Sequence, residues 1–265
     1  MFKTRLISGI ILLAMAITVV TLGGNVLFAT VFVISLVGMM ELYKVNKIEK
    51  RIPGIVGYLA AIAYYALIYF KLDKYLLLLS IGFLLILMIF YVLSYPIFRI
   101  EQIMTAFFGL FYVGIMLSYL YQIRILEDGA ILVWLIFIGA WGSDTCAYCV
   151  GVLFGKHKIV PKLSPKKSLE GCIGGVVGAA ILGFLYALVL GNRITGIENP
   201  RLLFAIIGAA SSVISQFGDL AASAIKRNYD IKDYGRLIPG HGGILDRFDS
   251  IIFTTPIVYY LVVLF

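Results

Sequence analysis

From Leu6 to Phe265 the chain is a series of apolar stretches, each about a membrane's thickness long when wound as a helix, separated by short segments that gather most of the charge. Hydrocarbon offers no hydrogen-bond partner, so the backbone of each stretch must satisfy itself, which a helix does. The composition agrees. Hydrophobic residues make up 62% and charged residues 14%, where globular domains carry roughly 25% charged. The reading is an all-α, polytopic integral membrane protein of about nine transmembrane helices. They are expected at 6–22, 26–42, 54–70, 75–97, 103–121, 130–154, 171–190, 202–225 and 247–265. That fills 265 residues and leaves no separate soluble domain. The least secure boundary is the first, because Gly23-Gly24-Asn25 makes a very tight turn between spans.

Nine spans put the termini on opposite sides, and the basic residues orient them. With the N-terminus inside, beginning with Lys3 and Arg5, seventeen of the 22 Lys and Arg fall on inner segments. Only Lys71, Lys74, Arg124, Arg193 and Arg201 fall outside. The net charge of +8 therefore reads as topology and attraction to anionic headgroups, not as a nucleic-acid surface. The first apolar run resumes after its glycines with no convincing small-residue cleavage site before them, so it reads as two retained helices and not a secretory signal. Three cysteines make no disulfide framework, and Cys146 and Cys149, a C-x-x-C inside an apolar helix, read as packing residues.

This orientation puts two unusual loops, 155–170 and 226–246, on the cytosolic face. It also fixes the depth of the acids. Asp219 lies seven residues before Lys226, about 10 Å inside the boundary, and Asp144 lies ten before Phe154, about 15 Å deep. Asp246 and Asp249 open the last helix from the same side and share one of its faces. A mid-bilayer aspartate costs about 2.5–3.5 kcal/mol on insertion scales, so these acids need a compensating use. Four carboxylates suit one or two hard cations, Mg²⁺ first, which completes its shell with water and substrate phosphate. The bland alternative is neutralisation by buried Lys or Arg. For Asp219 the partner would be Lys226, seven residues on and on the same face. Arg247 points elsewhere on its helix and leaves Asp246 and Asp249 without an evident partner.

The loop after Gly155 does not meet the G-x-x-x-x-G-K-[ST] phosphate-loop pattern. What it offers is point charge from Lys166 and Lys167 for a triphosphate, and hydroxyl donors in Ser164 and Ser168. A basic loop alone is usually a topology signal; its place beside the acids points to phosphate. In the second loop, Pro239-Gly240-His241-Gly242-Gly243 leaves backbone N–H groups free to approach an anion. His241 is the candidate proton donor or phosphate contact there, whereas His157 has no such setting.

These residues resemble a known family. The stretch S-x-x-K-R-x4-K-D-x-x-x-x-[LI]-P-G-H-G-G-x-x-D-R-x-D, carried from Ser223 to Asp249, is similar to the signature of phosphatidate cytidylyltransferases, or CDP-diacylglycerol synthases. So are S-D-T-x-A-Y-x-x-G-x-x-F-G-K from Ser143 to Lys156, S-P-K-K-S-x-E-G from Ser164 to Gly171, and Q-F-G-D ending at Asp219. Ser168 stands where threonine would be expected, and the hydroxyl remains. The likeness covers roughly 140–265; residues 1–125 add only length and hydropathy, and their helices read as oligomer contacts or a lipid groove. Residues 126–265 form the catalytic region.

The resemblance implies that CTP and phosphatidate give CDP-diacylglycerol and pyrophosphate, in phospholipid biosynthesis. It implies Mg²⁺, K⁺ as a second cation, a homodimer, and a bacterial inner membrane with the site facing the cytosol. Asp144, Asp219, Asp246 and Asp249 would hold metal. Lys166, Lys167, Lys226, Arg227, Arg236 and Arg247 would clamp phosphates, with Lys156 and Ser223 in the substrate-binding set and His241 in the catalytic one. Because the lipid phosphate attacks the α-phosphorus of CTP in line, no protein nucleophile is needed. Two other readings stay open: a CTP-dependent lipid-alcohol kinase of the dolichol or phytol type, and an ion-coupled transporter using Asp144 and Asp219. The D-G-x-x-A-R signature of CDP-alcohol phosphotransfer is absent.

Overall fold

The computed structural model describes residues 2–195 and 197–265, without the side chains of 2–6. The side chains of Lys3 and Arg5, counted above, thus lie outside the described residues. Among the described residues nine helices follow one another: α1 Phe2–Leu22, α2 Gly24–Val45, α3 Ile52–Tyr69, α4 Leu76–Leu93, α5 Ile100–Arg124, α6 Gly129–Phe154, α7 Leu169–Leu190, α8 Pro200–Asn228 and α9 Leu245–Leu264. α2 to α9 are long and apolar enough to cross a membrane, and α1 adds the shorter apolar run Ile7–Leu22. Among the described residues there is no strand, only isolated bridges. The all-α membrane architecture expected above is what forms.

The tight first turn is real. Gly23 and Gly24 both take positive φ, 62° and 50°, which only glycine adopts cheaply. The Arg124 guanidinium seals the turn by donating to the Val20 carbonyl at 3.1 Å and the Thr21 carbonyl at 3.3 Å. Both are carbonyls of the last turn of α1, which has no intrahelical donor for them.

Helix ends meet as alternating spans require. On one face Ser8 of α1 donates to the Pro239 carbonyl (3.1 Å), and Gln102 at the start of α5 donates to the Asn46 carbonyl beyond α2 (3.2 Å). Lys167 of the loop between α6 and α7 reaches Asp219 of α8 on that same face. At the other end Thr195, between α7 and α8, bonds through its N–H to Asp128, between α5 and α6 (2.8 Å). α7 buries Gly171, Gly175, Ala179, Gly183 and Ala187, one small residue per turn, and so lies close against α6 and α8. α8 and α9 complete that cluster, and α9 also touches α2 and α5. α4 fully buries only Phe83 and Leu87; Leu76, Leu79, Phe90 and Tyr91 pack partly against the core, and most of its other large apolar side chains face outward, as lipid contact requires. Two helices widen into π turns, α5 at Leu110–Ile115 and α6 at Ile138–Gly142, the second ending immediately before Ser143 and Asp144. Such turns re-aim the side chains that follow them.

Candidate active site

Asp144, Asp219 and Asp249 come from three helices to one locality. The approach is built into the backbone. A Cβ at Gly218 would lie 2.8 Å from the Asp249 carbonyl, so α8 and α9 touch where their two acids sit. A Cβ at Gly175 of α7 would lie 3.1 Å from both the Ser143 carbonyl and the Gln216 amide, so α7 holds α6 against α8. Ser143 and Ser212 close the same contact through a 2.6 Å hydrogen bond between hydroxyls. The Asp219 carboxylate is near enough to Asp144 and to Asp249 for both to feel its charge. One lysine answers it: Lys167 Nζ lies 2.9 Å from Asp219 Oδ2 and also donates to the Gln216 carbonyl at 3.1 Å. Among the described residues no Lys or Arg forms an ion pair with Asp144 or Asp249.

Asp246 is differently engaged. Its Oδ1 accepts from Lys226 Nζ at 2.8 Å, and its Oδ2 accepts the N–H groups of Tyr234 at 2.8 Å and Gly243 at 3.0 Å. The pair is almost dry, with Lys226 13% and Asp246 1% exposed in their side chains. Lys226 also lies over the Tyr234 ring, 5.4 Å from its centroid. Burial, with the charges of Tyr112, Asp246 and Asp249 behind it, pushes the Tyr234 phenol up, so it stays a donor to the Ala222 carbonyl at 3.2 Å. Asp246 thus folds the 229–244 loop onto the end of α8. The partners differ from those expected: Asp219 takes Lys167, and Lys226 takes Asp246.

The remaining candidates divide by place. Arg236, His241 and Arg247 line one cavity of about 650 Å³ with Lys232 and Asp233, between the Ile238–Gly242 turn and the start of α9. Nδ1 of His241 is buried with no partner among the described residues, and its ring lies against Gly9 of α1. Ser168 is buried and caps α7, accepting the Gly171 N–H at 3.2 Å. Lys156 and Lys166 are exposed on the 155–168 loop, with Ser164 half-buried between them. Glu170 clasps the base of that loop, taking the N–H groups of Lys156 and His157 at 3.1 and 3.2 Å and the His157 ring at 2.5 Å. Arg227 is exposed at the end of α8, and Ser223 is half-buried one turn earlier.

Among the described residues no three His, Cys, Asp or Glu side chains converge tightly enough to enclose an ion by themselves. Three acids beside one paired lysine nevertheless leave negative charge over, and hard oxygen donors of that sort suit Mg²⁺, which takes only one or two carboxylates directly. Asp144, Asp219 and Asp249 are the carboxylates with oxygens left to offer such an ion, one or two at a time and not as a closed three-ligand site. Asp246, with both oxygens engaged by protein donors, fits it least.

The cytidylyltransferase family matches residues 3–265. The phosphatidate cytidylyltransferase of Bacillus subtilis is 32% identical over 271 residues, covering 99% of this chain and 98% of its own. Those of Staphylococcus epidermidis and Staphylococcus aureus are 35% and 33% identical over 269 residues, each covering 98% of this chain and 99% of theirs. The chain belongs to the cytidylyltransferase family.

As a cytidylyltransferase it is a nucleotidyl-transferring enzyme, and the match extends through α1 to α5, well beyond the likeness read from motifs. One residue of that half was missed. Glu41, near the end of α2, is 2% exposed and accepts the Ile244 N–H at 3.1 Å and the Leu245 N–H at 2.8 Å. In the sequence it precedes Lys44, Lys47, Lys50 and Arg51 and reads as one charge of an interfacial loop. Its single warning sign is an acid placed before, not among, those cations.

Proposed function

We propose that the chain transfers the cytidylyl group of CTP to phosphatidate, releasing pyrophosphate and forming CDP-diacylglycerol. The observation that carries this is the near full-length match to relatives bearing the name phosphatidate cytidylyltransferase. The charge arrangement supports it: a carboxylate cluster and a basic cavity are joined by one helix turn, Arg247 lining the cavity and Asp249 joining the acids.

A phosphatidate phosphate oxygen attacks the α-phosphorus of CTP. The new P–O bond forms as the bond from the α-phosphorus to the β-bridging oxygen breaks, and pyrophosphate carries that electron pair away. Arg236, Arg247, Lys232 and His241 hold phosphate oxygens in the cavity. Lys167 meets the nucleotide from the Asp219 side, and Lys166 and Lys156 supply screening charge from the loop. Mg²⁺, held by Asp144, Asp219 and Asp249, would neutralise charge on the triphosphate; K⁺ is proposed as the second cation. Asp246 and Lys226 serve by holding the loop. We place the enzyme in a bacterial cytoplasmic membrane as a homodimer, with the loop face toward the cytosol. The Lys and Arg asymmetry and the bacterial relatives support that sidedness.

CTP labelled at the α-phosphorus, given with phosphatidate to detergent-purified protein, tests the reading. Label should appear in lipid and pyrophosphate should be released. Label appearing only in CDP, with a newly phosphorylated lipid, would identify a kinase instead. Uptake into proteoliposomes without CTP turnover would identify a transporter.

A further inference from the structure

We infer that Glu41 of α2 is a positioning residue for this transfer, fixing the first turn of α9 so that Arg247 and Asp249 stay in register with the other helices. The inference rests on the proposed function, because it takes that turn to be part of the active site.

A helix leaves its first four N–H groups without internal partners. In α9 no side chain of the local sequence caps them. Two are taken by a carboxylate more than 200 residues earlier, Glu41 Oε1 on Ile244 and Oε2 on Leu245. The two bonds are charge-assisted, one to each carboxylate oxygen, and the negative group sits at the positive end of the helix dipole. No cation forms an ion pair with Glu41 among the described residues, and its direct partners are the two N–H groups of the helix terminus.

The loop is shaped to admit this one carboxylate. A Cβ at Gly243 would lie 2.5 Å from Glu41 Cδ, and one at Gly235 would lie 2.8 Å from it. Two glycines thus flank the group, and any side chain at either would displace it. Asp246 meanwhile takes the Tyr234 and Gly243 N–H groups. Between them the two acids take the three consecutive N–H groups of Gly243, Ile244 and Leu245 together with that of Tyr234, Asp246 locally and Glu41 from the N-terminal half. This assigns α2 a role in catalytic geometry beyond membrane anchoring. Misplacement of a reacting constellation by about 1 Å costs on the order of 10²-fold in rate.

Purified full-length Glu41→Gln and Gly243→Ala test it, each against the unaltered chain in CDP-lipid formation. Glu41→Gln keeps size and one acceptor but turns an amide NH₂ toward a backbone N–H. We expect kcat to fall about 10- to 100-fold with KM for CTP within about threefold, the pattern of an interaction that matters in the transition state. Hydrogen exchange of the 243–246 amides should quicken in the same protein. Gly243→Ala, with Glu41 intact, should give the same kcat loss, and Glu41→Asp should recover less than half of it. Either variant retaining unaltered kcat, or losing activity only in proportion to its unfolded fraction, overturns the inference. If Glu41→Gln does not fold, Gly243→Ala decides alone. An unaltered chain that makes no CDP-lipid would instead remove the functional reading, while the exchange measurement would still judge the contact.

Discussion

Asp246 and Asp249 stand three residues apart on one helix face and live in opposite circumstances. The first has a lysine and two backbone N–H groups on its oxygens and is all but dry. Among the described residues the second accepts only the adjacent Ser250 N–H, at 2.8 Å, while facing the charge of Asp219. A carboxylate whose acceptors are filled by its own fold is a structural tie. One left short of donors, out of water and beside other acids, is held in an unfavourable state first by burial and then by its neighbours, and such places are where proteins bind cations and polyanions.

The comparison breaks most visibly if Asp246 is not a tie. Asp246→Ala should lower stability by about 3–5 kcal/mol, because Lys226 is left buried without its partner. Chemical denaturation in detergent measures this. Lys226→Met with Asp246→Leu should restore only part of the loss, since it removes the stranded charge but leaves the Tyr234 and Gly243 N–H groups without their acceptor. Next comes Asp249→Asn, expected to cut CDP-lipid formation about 10²- to 10³-fold without lowering the unfolding temperature. Relieving a crowded carboxylate should, if anything, raise it. Lys167→Met should reduce turnover on the order of tenfold by removing a charged hydrogen bond, with partial recovery in Lys167→Arg. At the bottom of the scale, Lys71→Ala on the opposite face should leave kcat and KM unchanged; a large loss there would mean that the sidedness is inverted.

Most of the fold was legible because apolar span length is nearly sufficient to state it. The reading 202–225 became Pro200–Asn228, and 103–121 became Ile100–Arg124, differences of a turn or less at ends where charge begins. The acids that gather at the candidate site stood out because charge in hydrocarbon is conspicuous. Their pairing did not. Asp219 and Lys226 share a helix face but stand about 10 Å apart along its axis, while Lys167 approaches from a loop 52 residues away in sequence. Glu41 was hidden for the same reason. The group it serves lies at the far end of the chain, and no local pattern announces a helix capped from another helix. Ser168 shows a third limit: a hydroxyl three residues before Gly171 suits phosphate binding and helix capping alike, and the structure uses it as a cap.

The division between tie and cation ligand can be read directly with Mn²⁺ as the probe, by electron paramagnetic resonance on purified protein with CTP present. The account predicts that Asp249→Asn weakens Mn²⁺ binding at least about tenfold, the loss of one charged ligand contact, while folded Asp246→Asn binds as the unaltered chain does. Undiminished Mn²⁺ binding by Asp249→Asn would contradict it.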